Sequence, residues 1–446
     1  MTISNSPIQR FSITNLHGER NVVIDFANTV KILIAENGAG KTTVLNALYN
    51  LIAGNFNKLR KTNFSQISVT FSSGREIFLT QEDLRWKVND AQIPPGIFQH
   101  FKAFLPLEHI QEIYDLFCQG NRSVLKASPY FAEARKRMNV DEANLISWIE
   151  ILVRELSPLN LQGQRLIEAR SVIQEEFPFD LIYLPTYRRI EEDLRNLGET
   201  IPDRGIDRNF IQFGMSDVTA RFNEITSEIK NSSIRWFARV NGQMLTQLIT
   251  GVNVDDDMRN SLSSAEALRI VLDRVGDNVS PENKQHIMSL IHNRRILDNA
   301  SLSYFMANLV KVYEQQKEND SAIKKFTAIC NMYLVDKEVV YNESSVEIDI
   351  VRKKNKASVM IETLSSGEKQ IISLFSRLFL EKHRSVAIFF DEPELSLSLE
   401  WQKNLLPHIV QSGICGFLFC TTHSPFIFQN DLRPYTSDLV EYITEL

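Results

Sequence analysis

The stretch Val30-Lys31-Ile32-Leu33-Ile34-Ala35-Glu36-Asn37-Gly38-Ala39-Gly40-Lys41-Thr42-Thr43 decides how this chain folds. An apolar run enters a glycine-bearing loop, and Val44, Leu45, Ala47, Leu48, Leu51 and Ile52 follow at helical spacing. Strand, glycine loop and helix, in that order, are the setting of a phosphate-binding loop. Glycines let the backbone curl round phosphate without Cβ clashes, so successive N–H groups point inward beside a helix N-terminus. Lys41 then reaches the β- and γ-phosphates, and the Thr42 hydroxyl holds Mg²⁺. Ala35 stands where the usual spacing has its first glycine, a change that an ordinary negative φ tolerates. A plain glycine turn ahead of a helix is the competing reading, and the flanking elements speak against it.

Working outward, Val386-Ala387-Ile388-Phe389-Phe390-Asp391-Glu392-Pro393-Glu394 is an apolar strand that ends in carboxylates. Beside a phosphate loop, Asp391 suits the Mg²⁺ shell and Glu392 suits a water attacking the γ-phosphate. Upstream, Leu364-Ser365-Ser366-Gly367-Glu368-Lys369-Gln370 precedes a helical pattern and offers a second helix N-terminus to an anion. Downstream, the strand Gly416–Cys420 runs into Thr421-Thr422-His423-Ser424-Pro425. His423 at that edge suits contact with a γ-phosphate, although a histidine after a strand is commonly only a polar loop residue.

These four motifs, in this order, resemble the ABC-type ATPase head of the SMC, RecF and OLD group. The likeness rests on about the first 60 and last 100 residues. It implies an α/β fold: a P-loop ABC-type head of mixed sheet and flanking helices, with a largely helical inserted lobe. The head is expected at residues 1–75 and 336–446, and the insert at 76–335 with a strand near 181–187 returning to the head. The resemblance implies ATP and Mg²⁺. It puts Asn37, Gly38, Ala39, Gly40, Lys41, Thr42 and Thr43 on the nucleotide, with Ser365, Ser366, Gly367 and Glu368 facing it from a second copy. Lys41, Glu392 and His423 are the catalytic set, and Thr42 and Asp391 the metal set. Two protomers thus sandwich ATP, Ser365 bonds the γ-phosphate in trans, and Glu394 to Ser396 lie in the loop that crosses the interface. A homodimer, or a higher oligomer, is then part of the chemistry, because an open monomer lacks half its transition-state donors. The OLD-like branch often carries histidine where Ser398 stands here.

Composition narrows the setting. The chain has 446 residues, 43% hydrophobic and 23% charged, which suits a large folded core and excludes a mainly disordered chain. With 49 basic against 55 acidic residues the net charge is −6, so nucleic acid needs a local basic patch. Four cysteines make no disulfide framework, which suits a reducing cytoplasm. No apolar run approaches the roughly 18–20 residues of a membrane helix, and the N-terminus has no signal-peptide pattern. The expectation is a soluble cytoplasmic protein without a membrane partner.

Helices are expected at Asp217–Lys230, Ala265–Val275, Pro281–Ile291 and Asn299–Tyr313. Sustained heptads are not evident, so the insert reads as a compact lobe without long coiled-coil arms. Leu181–Leu184 is a strand delivering Arg188 and Arg189, which either approach phosphates or pair with Glu191, Glu192 and Asp193. Strands Lys337–Tyr341, Val346–Val351 and Ala357–Ile361 are expected to rebuild the head. The tip Arg352–Lys356 is either solvated or a backbone contact for DNA, and Arg135-Lys136-Arg137 is a weaker basic candidate. Asp255-Asp256-Asp257 reads as a helix start rather than a metal site, and Cys415 and Cys420 as core.

OLD nucleases carry a nuclease domain after the head, whereas this chain is expected to end with the head about 20 residues past Pro425. It therefore resembles the ATPase-only subunits of phage-defence systems, PARIS-like or Septu-like. That likeness implies an ATP-dependent sensor and scaffold that restrains or activates a separate nuclease or toxin effector, answering a phage-encoded trigger. The rival is a RecF-like or SMC-like repair ATPase that clamps DNA by itself. A structural protein with a dead ATP site is a third.

Overall fold

The computed structural model describes residues 4–36, 38–84, 96–118, 122–156, 164–185, 215–252, 254–262, 264–275, 279–293, 295–382 and 385–446. Asn37 and the run holding Arg188, Arg189, Glu191, Glu192 and Asp193 lie outside the described residues. Twelve strands are named in chain order: β1 (Ile8–Leu16), β2 (Arg20–Asp25), β3 (Val30–Ile34), β4 (Gln66–Phe71), β5 (Glu76–Thr80), β6 (Asp180–Leu184), β7 (Lys337–Asn342), β8 (Glu347–Arg352), β9 (Val386–Asp391), β10 (Cys415–Thr422), β11 (Thr436–Asp438) and β12 (Ile443–Glu445).

Parallel and antiparallel strands separate into different sheets. One sheet has the order β12-β2-β1-β4-β5 and is antiparallel at every pairing. Its strands alternate, so Phe11, Ile13, Val22, Ile24, Ile67, Val69 and Leu79 line one buried face. The other has the order β11-β3-β10-β9-β6 and is parallel throughout. There β9 is buried along its whole length, as a parallel strand covered on both faces requires. The helix Lys41–Ile52 contributes Val44, Leu45, Leu48 and Leu51 to the core that both sheets share. Phe26 packs at 5.4 Å on Phe419 and 5.8 Å on Phe417, joining the segment between β2 and β3 to the core of β10. Short strands β11 and β12 tie one chain segment to both sheets, and Lys31 donates to Ser437 Oγ at 3.1 Å beside them.

Contacts group the chain into two units, residues 1–213 with 383–446, and residues 214–382. This grouping falls along other borders than 1–75, 76–335 and 336–446. The helices between Ile97 and Leu156 have their own core, built on Phe98, Phe101, Ile110, Ile113, Leu145 and Ile149, within the first unit. Ion pairing of Arg60 with Glu112 at 3.1 Å fastens that core to the short helix Phe56–Arg60.

In the second unit, each of the four expected helices forms. Two of them are far longer than their apolar patterns: Ser216–Thr250 has 35 residues and Ala300–Tyr333 has 34. At 1.5 Å per residue each is about 50 Å long. They run antiparallel, with Phe222 on Phe326 at 5.5 Å, Gln316 Nε2 donating to Ile229 O at 3.2 Å, and Trp236 Nε1 donating to Gln315 at 3.2 Å. Helices of this length were not expected of a compact lobe without long coiled-coil arms. Ser233, Gln316 and Asp320 occupy the seam, and these polar residues hide its period in the sequence.

That seam carries a buried charge. Arg274 donates to both Asp320 oxygens at 2.7 and 2.8 Å, to Gln316 Oε1 at 2.7 Å and to the Glu343 carbonyl at 2.9 Å. Tyr341 of β7 also donates to Asp320; burial first, and then this carboxylate, push its phenol pKa upward. Strands β7 and β8 form a separate two-stranded hairpin rather than rebuilding the head sheets. The third expected strand is absent among the described residues, since Ala357–Ile361 has only a bridge from Ser358 to Val351 and the turn Ile361–Thr363 follows. The basic tip folds back on its surroundings: Arg352 pairs with Asp336 at 3.3 Å, Lys353 donates to Leu334 O at 2.7 Å, and Lys356 pairs with Glu338. Asp255 accepts from Met258 N at 2.7 Å as a helix N-cap, and Cys420 is buried, both as expected.

Removing Arg274 leaves Asp320 charged, with its side chain 2% exposed. Arg274→Ala should therefore cost about 3–5 kcal/mol in urea unfolding followed by circular dichroism. The pair Arg274→Met with Asp320→Leu should cost much less, because no buried charge is left alone.

Candidate nucleotide site

Parallel register brings the ends of four strands to one edge. Thr422 of β10 is opposite Ile34 of β3, Thr421 is opposite Asp391 of β9, and Phe390 is opposite Leu184 of β6. The glycine loop, Glu392 and His423 thus all leave the carboxyl edge, beside the end of β6, where open α/β sheets take ligands.

Within the loop, Gly38 and Gly40 have φ of 90° and 92°, in the left-handed region that favours glycine. Ala35 keeps an ordinary φ, as its replacement of glycine requires. Gly40 leads directly into the helix Lys41–Ile52, and Val44 N closes the first turn on Gly40 O at 3.0 Å. The earlier amides of that turn have no intrahelical acceptor, and no acidic side chain occupies it. A helix terminus so arranged favours an anion. Lys41 is only 4% exposed and its ammonium donates to the Ala35 carbonyl and, at 3.3 Å, to that of Glu36.

Thr42 Oγ1 donates to Asp391 Oδ2 at 2.8 Å, and Thr421 Oγ1 donates to Asp391 Oδ1 at 2.7 Å. One hydroxyl and one carboxylate are hard oxygen donors that fit Mg²⁺. Among the described residues no cluster of three or more His, Cys, Asp or Glu side chains makes an all-protein metal cage. Nearby, burial first and then the Asp391 charge raise the pKa of the Tyr183 phenol on β6.

Glu392 follows in a left-handed conformation, φ 48°, its amide donating to Thr421 O at 2.8 Å. Such a φ is costly for a residue with a Cβ and, where it persists, belongs with functional strain. Glu394 is turned inward and is 5% exposed. Its Oε1 accepts from His423 N at 2.9 Å and Ser424 N at 3.2 Å, and lies 2.8 Å from His423 Nδ1. Glu392 Oε1 is 3.9 Å from the same ring nitrogen. Gln402 accepts from Ser424 Oγ at 2.7 Å and donates to the carbonyls of Glu394 and Leu397 at 3.3 and 3.0 Å. Ser398 caps the helix Leu399–Gln411, accepting from Trp401 N at 3.4 Å. Sequence reasoning overlooked Thr421, Glu394 and Gln402 as parts of this site; the paired threonines before His423 were the available signal for the first.

The Ser365 segment belongs to the second unit. Ser365 is exposed and caps the helix Ser366–Leu380. Its N–H and Oγ both donate to Glu368 Oε2, at 2.8 and 2.9 Å, and Glu368 N returns to Ser365 Oγ at 3.4 Å. This is a capping box, readable as Ser-x-x-Glu before an apolar run. Gly367 and Glu368 are buried, and Lys337 bonds Glu368 at 3.0 Å. Burial opposes the Lys337 charge, but hydrogen bonds to Asp336 and Glu368 outweigh it and raise the pKa.

Among known proteins, the Retron Ec83 probable ATPase of Escherichia coli is 33% identical over 89 residues, 18% of this chain and 16% of that protein. Two solved SMC head structures superpose at a TM-score of 0.35 with 11% identity. One is from Pyrococcus furiosus, with an extended coiled coil and the C-terminal domain of ScpA; the other is bound to the C-winged helix domain of ScpA. They match 98% and 99% of this chain and 96% and 98% of theirs, but so low a score supports nothing further. The model of the AAA ATPase domain family matches residues 7–428, nearly the whole chain, and the chain belongs to that family.

Proposed function

We propose that this chain binds and hydrolyses ATP with Mg²⁺, and that two copies complete each site. The carrying observation is the gathering of Lys41, Thr42, Asp391, Glu392 and His423 at one sheet edge. In this reading the glycine loop through Thr43, together with the free amides of its helix, cradles the phosphates. Lys41 exchanges its carbonyl partners for the β- and γ-phosphates. Thr42 and Asp391 hold Mg²⁺, which neutralises charge on the phosphate oxygens when bound. Glu392 orients and deprotonates the attacking water, and His423 contacts the γ-phosphate.

Ser365, exposed at a helix N-terminus, exchanges its hydroxyl bond to Glu368 for the γ-phosphate of the other copy, together with Ser366, Gly367 and the amides before Glu368. ATP binding then closes two copies on each other, and hydrolysis releases them. Such a cycle suits a sensor and scaffold in anti-phage defence that holds a separate nuclease or toxin effector until a phage-encoded trigger arrives. The short alignment with a retron ATPase supports this placement. The repair reading, in which the chain clamps DNA alone, needs free basic side chains. At the tip, Arg352, Lys353 and Lys356 are engaged locally instead, which leaves Lys354 as an exposed cation outside these contacts.

Glu392→Gln keeps the shape of the side chain while removing its basicity. It should retain ATP, lose turnover by about 100-fold or more, and accumulate dimers on size exclusion with ATP and Mg²⁺. Unchanged turnover would remove Glu392 from the chemistry. Glu392→Gly should also abolish turnover but relieve the left-handed strain of roughly 1–2 kcal/mol, less about 0.5–1 for glycine entropy. A melting temperature equal to or above that of the unaltered chain checks this.

A further inference from the structure

The reading of His423 as a γ-phosphate contact leaves open what fixes its ring, whose side chain is 42% exposed. The geometry points to Glu394 as a positioning residue that sets which ring nitrogen of His423 faces the nucleotide; this inference rests on the proposed ATPase site. His423 Nδ1 lies 2.8 Å from Glu394 Oε1, and because a carboxylate only accepts hydrogen bonds, this contact favours the tautomer with its proton on Nδ1, which leaves Nε2 for the nucleotide in this proposal.

The same oxygen gathers the amides of His423 and Ser424, so ring and backbone are pinned to one point. Glu394 Oε2 is buried and meets no donor among the described residues, so the hydrogen bonding of this carboxylate is concentrated on the His423 turn. Burial, and after it the charges of Glu394 and Asp391, hold the Cys420 thiol well above its ordinary pKa. The left-handed turns at Glu392 and Ser396 bracket Glu394, and Gln402 fastens both its carbonyl and the Ser424 hydroxyl to the helix Leu399–Gln411. Glu394 is thereby held in place on both sides of the loop that faces the His423 turn.

The test compares Glu394→Ala, Glu394→Gln, His423→Ala and the double variant Glu394→Ala/His423→Ala in steady-state ATP hydrolysis. Glu394→Ala should lower kcat by about 10–100-fold while KM stays within about twofold. Glu394→Gln keeps an acceptor and should recover part of that loss. The double variant should fall no further than His423→Ala, because both changes remove one device. Losses that multiply in the double variant would overturn the proposal. Wild-type turnover in His423→Ala would instead overturn the γ-phosphate reading on which it stands. Should Glu394→Ala not fold, nitrogen-15 spectra of histidine-labelled unaltered protein decide: a proton on Nδ1 of His423 is expected, and an Nε2–H tautomer alone contradicts it.

Discussion

Parallel pairing of β10 with β3 on one side and β9 on the other is the constraint on which the rest depends. It sets Thr421 opposite Leu33 and Asp391 at once, and its hydroxyl then reaches the Asp391 carboxylate. A slip of one residue would reverse every side chain on β10 and withdraw that hydroxyl. Buried aromatics oppose such a slip: Phe389, Phe417 and Phe419 are fully enclosed and interlock with Phe26 and Tyr49. Hydrophobic packing thus fixes a register whose product is polar.

At the edge that this register creates, local cost is accepted in return for geometry. Glu392 and Ser396 hold left-handed angles, and Glu394 carries a carboxylate into the interior. None of these choices favours folding on its own terms. They persist because the sheet beneath is buried and the loop between β9 and the next helix is pinned by Gln402 and capped by Ser398. The second unit handles polarity in another way. There Arg274, Asp320, Gln316 and Tyr341 form a paired network that ties the helix Ala300–Tyr333 to the helix Ala265–Arg274 and to β7, so the buried charges are matched.

The sequence was most legible where period and punctuation coincide. The run Val30–Ile34, the glycines after it and the apolar stripe of the next helix each point to the same element, and so does the continuous apolar run of β9. The four helices of the second unit were visible for the same reason. Their lengths were not, since Ser233, Gln316 and Asp320 interrupt the apolar seam. Division of the strands into one parallel and one antiparallel sheet depends on long-range pairing, which alternation alone does not encode. The inward turn of Glu394 was not legible, because nothing local reveals the left-handed angles of Glu392 and Ser396 on either side of it. At Ser365 the spelling Ser-Ser-Gly-Glu also carried the capping box that the structure shows.

A triphosphate held between the phosphate loop of one copy and Ser365 of another is the central claim, and mixing two dead variants tests it most directly. Lys41→Ala and Ser365→Ala should each abolish hydrolysis alone. Equal mixtures should regain turnover, because a mixed dimer contains one pocket with both residues intact. Mixtures as inactive as the separate variants, although mixed dimers form, would contradict the shared site.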